Sequence, residues 1–305
     1  MFKYTLDNKR YHTFNYFLRN KFNSKVFKIP IDAGADCPNK KTGGCIFCKG
    51  GSKSVIVDNS LSLMKQYEDE VVILNKKWPG AKHIIYFQSG TNTYIPIEIF
   101  KKNVEQFLNI DDVVGISIAT RSDALNEDYY KYLSELNKKT FLTVELGLQS
   151  SNNNTLNFIN RGHDKENFAV AVKKLQKLGI FVVAHIINGL PYETKEDMLD
   201  TVKFLNDLKI DGIKIHMLHI LKDTKIEKIY NDSKFHVLSK DEYIDIVVSQ
   251  LELLDEKIVI ERITGDPIPS DLVAPNWLLK KFVLLNDIDK KMVEKDTYQG
   301  KNLIK

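Results

Sequence analysis

The chain has 305 residues, of which 43% are hydrophobic and 28% are charged, an ordinary balance for a globular protein with a sizeable core. No run approaches the roughly 18 uninterrupted apolar residues of a membrane span, and no signal peptide is visible, so we expect a cytoplasmic protein without a membrane partner. The net charge of +4 does not by itself require nucleic acid. The lysines bunch in places, and these bunches are either solvated faces or a surface that contacts phosphates.

Short β-branched runs alternate with amphipathic stretches along the chain. The predicted strands are Val26–Asp32, His83–Gln88, Val113–Thr120, Phe141–Leu148, Ile180–Ile187, Gly212–His219 and Lys257–Ile263. Helical patterns cover about 60–78, 96–109, 126–137, 166–178, 194–208, 239–255 and 276–296. This alternation predicts a parallel sheet with right-handed crossovers, either doubly wound or a complete or partial (β/α) barrel.

One face of three predicted strands is polar, which favours the barrel. These faces carry Ser117 and Ala119 in the third strand with Arg121 directly after it, Glu145 and Gly147 in the fourth with Gln149 directly after it, and Lys214 and His216 in the sixth. Polar groups on a buried face cost free energy unless that face lines a site. We therefore expect an α/β fold, a partial (β/α)6-type TIM barrel that binds a polar ligand at the carboxyl ends of its strands. Residues 1–305 would form one domain, with an N-terminal helical segment (1–25), the barrel core (26–220) and a C-terminal helical extension (221–305).

All three cysteines, Cys37, Cys45 and Cys48, lie in the loop that follows the first predicted strand, with the spacing C-x7-C-x2-C. An odd, clustered set without a secretion signal argues against disulfides. The loop also contains glycines at positions 43, 44, 50 and 51. Glycine tolerates positive φ angles, so the loop can wrap three thiolates around one centre.

Four interpretations of these thiols are open. A structural zinc site normally takes four protein ligands, but no fourth cysteine exists, and His12 and His83 lie outside the loop. Three buried thiols beside four glycines would make an unusual core. A [4Fe-4S] cluster with one open iron needs three thiolates, which the loop supplies. A non-catalytic redox-sensing or structural iron site is the alternative of another class.

The loop, with Phe47 before its last cysteine, resembles the cluster loop of the radical S-adenosylmethionine (SAM) superfamily. The usual spacing there is three then two residues, whereas a longer loop that begins Cys-Pro-Asn is similar to the YhcC/YtqA-type branch. The resemblance covers nearly the whole chain through Phe87–Tyr94, Ala119–Asp123, Val144–Ser150, Asn160–Asp164, His185–Pro191, Lys214–His216, Thr264–Asp266, Ala274–Trp277 and Tyr298–Gly300. It implies a [4Fe-4S] cluster on the three cysteines, and SAM that is reductively cleaved to a 5′-deoxyadenosyl radical.

The resemblance also implies which residues bind the cofactor. They are Phe47, Ser89, Gly90, Thr91, Asn92, Glu145, Gln149, Arg161, His185, Asn188 and Gly189. The segment 89–92 would meet the SAM amino group, Gln149 the ribose, and Arg161 the carboxylate, which suits its planar fork. His185 stands where relatives often place an acidic ribose partner. The structural alternatives are a core hydrogen-bonded pair of Glu145 with Gln149, and a helix-capping role for Arg161.

The substrate side rests on Lys214, His216 and Arg121, which would form a cationic rim and act as catalytic residues that hold a second carboxylate. The branch resemblance implies tRNA wobble-uridine modification, in which a 5-carboxymethylaminomethyl group is processed toward 5-aminomethyl. The implied partners are tRNA and a reductant such as flavodoxin or ferredoxin. The alternative is a radical SAM enzyme that acts on a small molecule or peptide.

Overall fold

The computed structural model describes residues 2–49, 57–233 and 235–303, so Gly50 and Gly51 of the predicted cluster loop lie outside the described residues. Its strands are β1 (Val26–Ile31), β2 (Lys82–Phe87), β3 (Val113–Thr120), β4 (Phe141–Gln149), β5 (Phe181–Asn188), β6 (Gly212–Met217), β7 (Ile220–Leu221), β8 (Val259–Arg262) and β9 (Leu272–Ala274). All seven predicted strands are present, with ends that differ by no more than two residues. The short strands β7 and β9 were not predicted; they pair antiparallel as a separate ribbon.

The remaining strands form one parallel sheet in the order β1-β2-β3-β4-β5-β6-β8. The order never reverses, which excludes the doubly wound alternative. Lys28 Nζ on β1 lies 2.6 Å from Glu261 Oε2 on β8, so side chains of the two edge strands meet across the concave face. The sheet is therefore a curled half-barrel, which confirms the predicted partial (β/α) barrel.

Helices connect the strands and cover the convex face. They are α1 (Phe14–Phe22), α2 (Leu63–Lys77), α3 (Ile97–Glu105), α4 (Glu127–Asn137), α5 (Asn153–Phe158), α6 (Lys165–Lys177), α7 (Lys195–Asp207), α8 (Lys225–Ser233), α9 (Lys240–Leu253) and α10 (Lys281–Glu294). The predicted helix 276–296 is divided into a 3-10 turn, Asn276–Lys280, followed by α10. Helices α5 and α8 were missed because segments this short show little periodicity. Among the described residues, no helix combines the length and apolarity that crossing a bilayer requires.

The two faces of the sheet have opposite polarity. On β4, Val144, Leu146 and Leu148 are fully buried and belong to the main hydrophobic core. The intervening Glu145 and Gln149 line the concave face. Because side chains alternate along a strand, this pattern puts the apolar core under the helices and the polar residues inside the half-barrel.

Candidate active site

A cavity of about 680 Å³ occupies the concave face of the half-barrel. The predicted site residues that line it are Cys37, Cys45, Cys48, Phe47, Gly90, Thr91, Arg121, Glu145, Gln149, Arg161, His185, Lys214 and His216. The fold thus brings the cluster loop, the segment after β2, and the ends of β3 to β6 to one place, as expected for a barrel of this type.

The predicted residues Ser89, Asn92, Asn188 and Gly189 are not part of this lining in the described structure. The Asn92 amide donates to the main-chain oxygens of Phe87, Ser89 and Ala119, and so fixes the loop after β2 against β3. The side chains of Asn188 and Gln250 form two mutual hydrogen bonds of 2.8 Å under α9. Asn92 therefore holds backbone beside the cavity, whereas Asn188 connects β5 to α9.

The cluster loop is fastened to the segment that follows α5. Asn39 Nδ2 donates to the Asn160 main-chain oxygen at 2.7 Å, and Asn160 Nδ2 donates back to the oxygens of Gly44 and Thr42 at 2.8 and 3.0 Å. On the other side of the loop, Thr91 N donates to the main-chain oxygen of Asp36 at 3.0 Å. These bonds fix the loop relative to both β2 and β4.

The three cysteines lie at the cluster-loop end of the cavity. Cys37 and Cys45 are half-buried and Cys48 is exposed. Asn39 Nδ2 is 3.4 Å from Cys45 Sγ, and Arg161 Nη1 is 4.0 Å from the same sulfur. Within the described residues, no three His, Cys, Asp or Glu side chains are grouped so as to hold a single metal ion. A [4Fe-4S] cluster makes a different demand, because each thiolate binds a different iron.

Two arginines near these sulfurs carry buried N–H groups that have no hydrogen-bond partner in the described structure, namely Arg161 Nε and Arg121 Nη1. Arg161 donates to the Gly147 oxygen, and Arg121 holds both oxygens of Asp123 at 2.8 and 2.7 Å. Burial lowers the pKa of Arg161, against the opposing effect of Cys45. A buried unpaired donor is costly, and a ligand carboxylate would satisfy both arginines. These groups therefore fit a cofactor that carries a carboxylate beside the cysteines.

An irregular register on β4 directs Gln149 into the cavity. Gly147 pairs with His185, but the next pair is Gln149 with Ile186, so β4 contains an extra residue, and Gln149 has a φ of 78°. A Cβ on Gly147 would stand 2.7 Å from Gln149 Nε2 and 2.8 Å from Arg161 Nη2. The absence of a Cβ at Gly147 leaves room for both side chains to lie across the strand.

The alternative helix-capping role for Arg161 is not what the structure shows. The N-cap of α6 is Asp164, whose side chain accepts from Asn167 N at 2.7 Å. Arg161 instead points to β4, where it contacts Gly147.

Glu145 lies on the cavity floor with a side chain that is 0% exposed. Its oxygens accept from Lys28, Ser117, Tyr86, His185 and Lys214. Burial alone would raise the pKa of this carboxyl, but the lysines and His185 hold it well below its usual range. Glu145 is thus a charged residue at the centre of a hydrogen-bond network. Gln149 is not among its partners in the described structure, so the alternative of a Glu145–Gln149 pair is not seen there.

His185, which contacts Glu145, lies beside His216, with ring centroids 5.5 Å apart. Burial lowers the pKa of His185, and it lowers that of His216 well below the usual range. Both rings are therefore neutral near pH 7. His185 Nε2 is 2.6 Å from the Glu145 carboxylate, so this nitrogen carries the proton and Nδ1 is left as an acceptor.

The predicted cationic rim is largely neutralised within the protein. Lys214 pairs with Glu145 and lies 3.6 Å from Glu261 Oε2, while Arg121 is paired with Asp123. His216 is neutral. The rim therefore offers less uncompensated positive charge than the sequence pattern indicates.

Sequence reasoning missed several residues of the site, chiefly Lys28, Tyr86, Glu261 and Asn39. Lys28 and Tyr86 could have been found by extending the alternation argument to the first two strands, where each stands between apolar residues. Glu261 could have been found in the same way, because it is a charged residue among the apolar residues of the last predicted strand. Asn39 belongs to the Cys-Pro-Asn motif, but its contact with Cys45 could not be inferred from spacing.

Comparison with known proteins identifies the family of the chain. The Radical SAM superfamily domain matches residues 34–205, more than half of the chain, and the Radical_SAM C-terminal domain matches residues 210–294. The uncharacterized protein YtqA of Bacillus subtilis is 44% identical over 305 residues, covering 98% of this chain and 95% of the relative. A tRNA uridine(34) acetyltransferase of Methanocaldococcus infernus is 24% identical and covers 79% of this chain and 51% of that protein.

Among solved structures, the archaeal Elp3 of Methanocaldococcus infernus with an N-terminal deletion superposes with a TM-score of 0.69 at 20% identity. The match covers 90% of this chain, and the chain spans 64% of that structure. At this identity the match supports the fold. The matches to the superfamily domain and to YtqA confirm the resemblance drawn from the sequence motifs. The chain therefore belongs to the radical SAM superfamily, in its YhcC/YtqA-type branch, and its cofactors are a [4Fe-4S] cluster and S-adenosylmethionine.

Proposed function

We propose that the chain is a tRNA-modifying radical SAM enzyme that holds its cluster on Cys37, Cys45 and Cys48. The observation that carries the radical SAM part of this proposal is the position of the three thiols on one polar cavity, beside two buried arginine donors. When bound, the cluster supplies the electron that cleaves SAM, while the protein positions the reactants and excludes side reactions. A reductant such as flavodoxin or ferredoxin would deliver that electron, in a cytoplasmic setting.

The residues around the cavity have distinct roles in this proposal. Arg161 Nε and Arg121 Nη1 hold the SAM carboxylate, since both are buried donors without partners in the described structure. Gln149 Nε2 and His185 Nδ1 bind the ribose hydroxyls, the first as donor and the second as acceptor. Gly90 and Thr91, which line the cavity, would receive the SAM amino group, as the resemblance implies.

The proposed substrate is tRNA, and the proposed reaction processes a wobble-uridine 5-carboxymethylaminomethyl group toward 5-aminomethyl. The amine and its neighbouring CH2 are oxidised by two electrons to an imine, with SAM as the oxidant, and water then cleaves the imine, so the two carboxymethyl carbons leave as glyoxylate. Support comes from a relative that is named for modifying tRNA uridine 34. A base in an anticodon loop is accessible or easily flipped, so a cavity of about 680 Å³ can receive it. Lys41, an exposed residue of the cluster loop, would contact phosphates of the RNA.

Single substitutions of the cysteines test the cluster assignment. Each Cys→Ala variant, purified and reconstituted anaerobically, should lose the brown [4Fe-4S] absorption and the formation of 5′-deoxyadenosine from SAM and dithionite. Lys40→Ala is the matched control in the same loop and should keep both signals. A cysteine variant that keeps both would remove that residue from the ligand set.

Nucleoside analysis tests the substrate. Undermodified tRNA incubated with the reconstituted protein, SAM and reductant should show 5-aminomethyluridine formed at the expense of its carboxymethylated precursor. Turnover should fall steeply with salt, because phosphate contacts release counterions. An unchanged nucleoside profile, together with salt-insensitive turnover of a small molecule or peptide, would replace this proposal by the small-substrate alternative.

A further inference from the structure

One carboxylate oxygen on the cavity floor has no partner in the described structure. Glu261 Oε2 binds Lys28 Nζ at 2.6 Å, whereas Glu261 Oε1 is buried and unpaired. The Glu261 side chain is 1% exposed and lines the same cavity as the cysteines. An unpaired buried carboxylate oxygen is costly, so this position calls for an N–H or O–H donor.

The backbone of β8 is built to point this side chain inward. Ile213 on β6 pairs with Ile260, but the next residue, Lys214, pairs with Arg262, so Glu261 is the extra residue of a bulge. Bulges of this kind redirect side chains and are frequent beside active sites. The bulge explains how two successive residues, Glu261 and Arg262, both line the cavity although neighbours in a regular strand face opposite ways.

The charges around Glu261 decide what kind of donor fits. Lys28 and Lys214 balance Glu145 and Glu261, so the four charges of the floor cancel. A neutral or zwitterionic ligand can therefore enter without leaving an uncompensated charge, whereas a lone anion would face Glu261. Arg262, whose side chain is 40% exposed, offers a cation next to this carboxylate, held by a 3.5 Å contact with Asp266.

We propose that Glu261 and Arg262 form a substrate subsite for an amine that lies next to a carboxylate. Glu261 Oε1 accepts from the amine N–H, and Arg262 binds the carboxylate. This inference rests on the proposed function, because the 5-carboxymethylaminomethyl side chain has an amine one carbon away from its carboxylate. The subsite would explain how the enzyme selects the 5-carboxymethylaminomethyl side chain over other wobble-uridine side chains.

Three anticodon stem-loop RNAs test the subsite by their affinity for the cluster- and SAM-loaded protein. The first carries 5-carboxymethylaminomethyluridine, the second replaces the amine nitrogen by CH2, and the third carries 5-methylaminomethyluridine and so lacks the carboxylate. For the wild-type protein, loss of either group should weaken binding by about 10- to 100-fold, since hydrogen bonds to charged groups contribute about 1.5–3 kcal/mol.

Two variants assign the loss to residues. Glu261→Gln should no longer distinguish the first RNA from the second, and Arg262→Met should no longer distinguish the first from the third. Comparing two ligands on one protein removes any general effect on folding or cluster content, and the half-exposed Arg262 tolerates exchange. Glu252→Gln is the control, because Glu252 is a buried carboxylate paired with Lys295 away from the cavity.

The outcomes separate the subsite from the proposed function. If the wild-type protein converts the first RNA but binds all three RNAs equally, or if both variants discriminate as the wild type does, the subsite is refuted and the function stands. If the wild-type protein neither prefers nor converts the first RNA, both the function and the subsite fail. Selective loss of discrimination in the two variants supports the subsite.

Discussion

The charge of Glu145 should be a major contributor to the stability of the half-barrel. Glu145→Gln keeps the shape of the side chain but leaves Lys28 and Lys214, which are 13% and 9% exposed, with Glu261 as the remaining carboxylate. Removing one partner of a buried ion pair typically costs about 3–5 kcal/mol, because the other charge stays buried without compensation. This is a large part of the roughly 5–15 kcal/mol that stabilises a typical domain.

Anaerobic urea unfolding followed by circular dichroism measures this effect, with the slope checked to be unchanged. A second variant, Glu145→Gln combined with Lys214→Met, removes the uncompensated charge and should recover much of the loss. Glu127→Gln is the matched control, since Glu127 is 82% exposed in its pair with Lys174 and should cost less than about 1 kcal/mol.

The pH dependence of the loss has a defined sign. The native pKa of Glu145 is depressed, so its stabilisation is present above the unfolded-state pKa of about 4.5 and disappears as the pH falls through the native value. The difference between wild type and variant should therefore shrink in acid. If Glu145→Gln lowers the free energy of unfolding by less than about 1 kcal/mol at pH 7, or if the double variant is less stable than the single one, the charge of Glu145 is not needed to compensate the buried lysines.

Three further predictions concern the surroundings of the site. Burial raises the pKa of Glu193 to about 7 from 4.5, so the stabilisation from its protonated form is complete below pH 4.5 and is lost as the pH rises through 7. The free energy of unfolding of the wild-type protein should therefore fall by up to about 3 kcal/mol between pH 5 and 8. In urea unfolding, Glu193→Gln should show a smaller change over the same pH range. Gly90→Ala would put a Cβ 1.9 Å from the Ala35 oxygen at a φ of 72°, so cluster content after reconstitution should fall sharply, and normal iron content would contradict this packing. Asn39→Ala removes an N–H from Cys45 Sγ and should lower the cluster midpoint potential by about 40 mV, taking about 1 kcal/mol for the bond; an unchanged potential in an EPR-monitored titration would exclude the contact.

The sequence of strands and helices in the half-barrel, and the loop that carries the three cysteines, could be predicted because both are visible in short stretches of sequence. Strand and helix periods are visible within ten residues, and strands that alternate with helices form a parallel sheet almost by necessity. The polar alternation at Glu145 and Lys214 correctly located the inner face. What the pattern could not show is that these two residues bind each other.

The charge network of the floor was not predictable, because its members are distant in the chain. Lys28 and Glu261 are 233 residues apart, and they meet only because the sheet curls until its edges face each other. In the sequence each cation stands far from the carboxylate that neutralises it, so its positive charge looks free to bind a ligand. That is why Lys214 was expected at a cationic rim and is found in an ion pair.

This pairing divides the cavity into two regions with different capacities for ligands. At the cysteine end, Arg161 and Arg121 carry buried donors without a partner among the described residues, so this region would attract an anionic group. On the floor, Lys28 and Lys214 are neutralised, and Glu261 carries an acceptor oxygen without a partner in the described part of the chain, so this region would attract a donor. A cofactor carboxylate and a substrate amine would then be sorted to opposite ends of one space by electrostatics alone. If Arg161→Met weakens SAM binding while leaving the affinity for the amine-bearing RNA intact, the two regions are independent; a parallel loss of both would contradict this division.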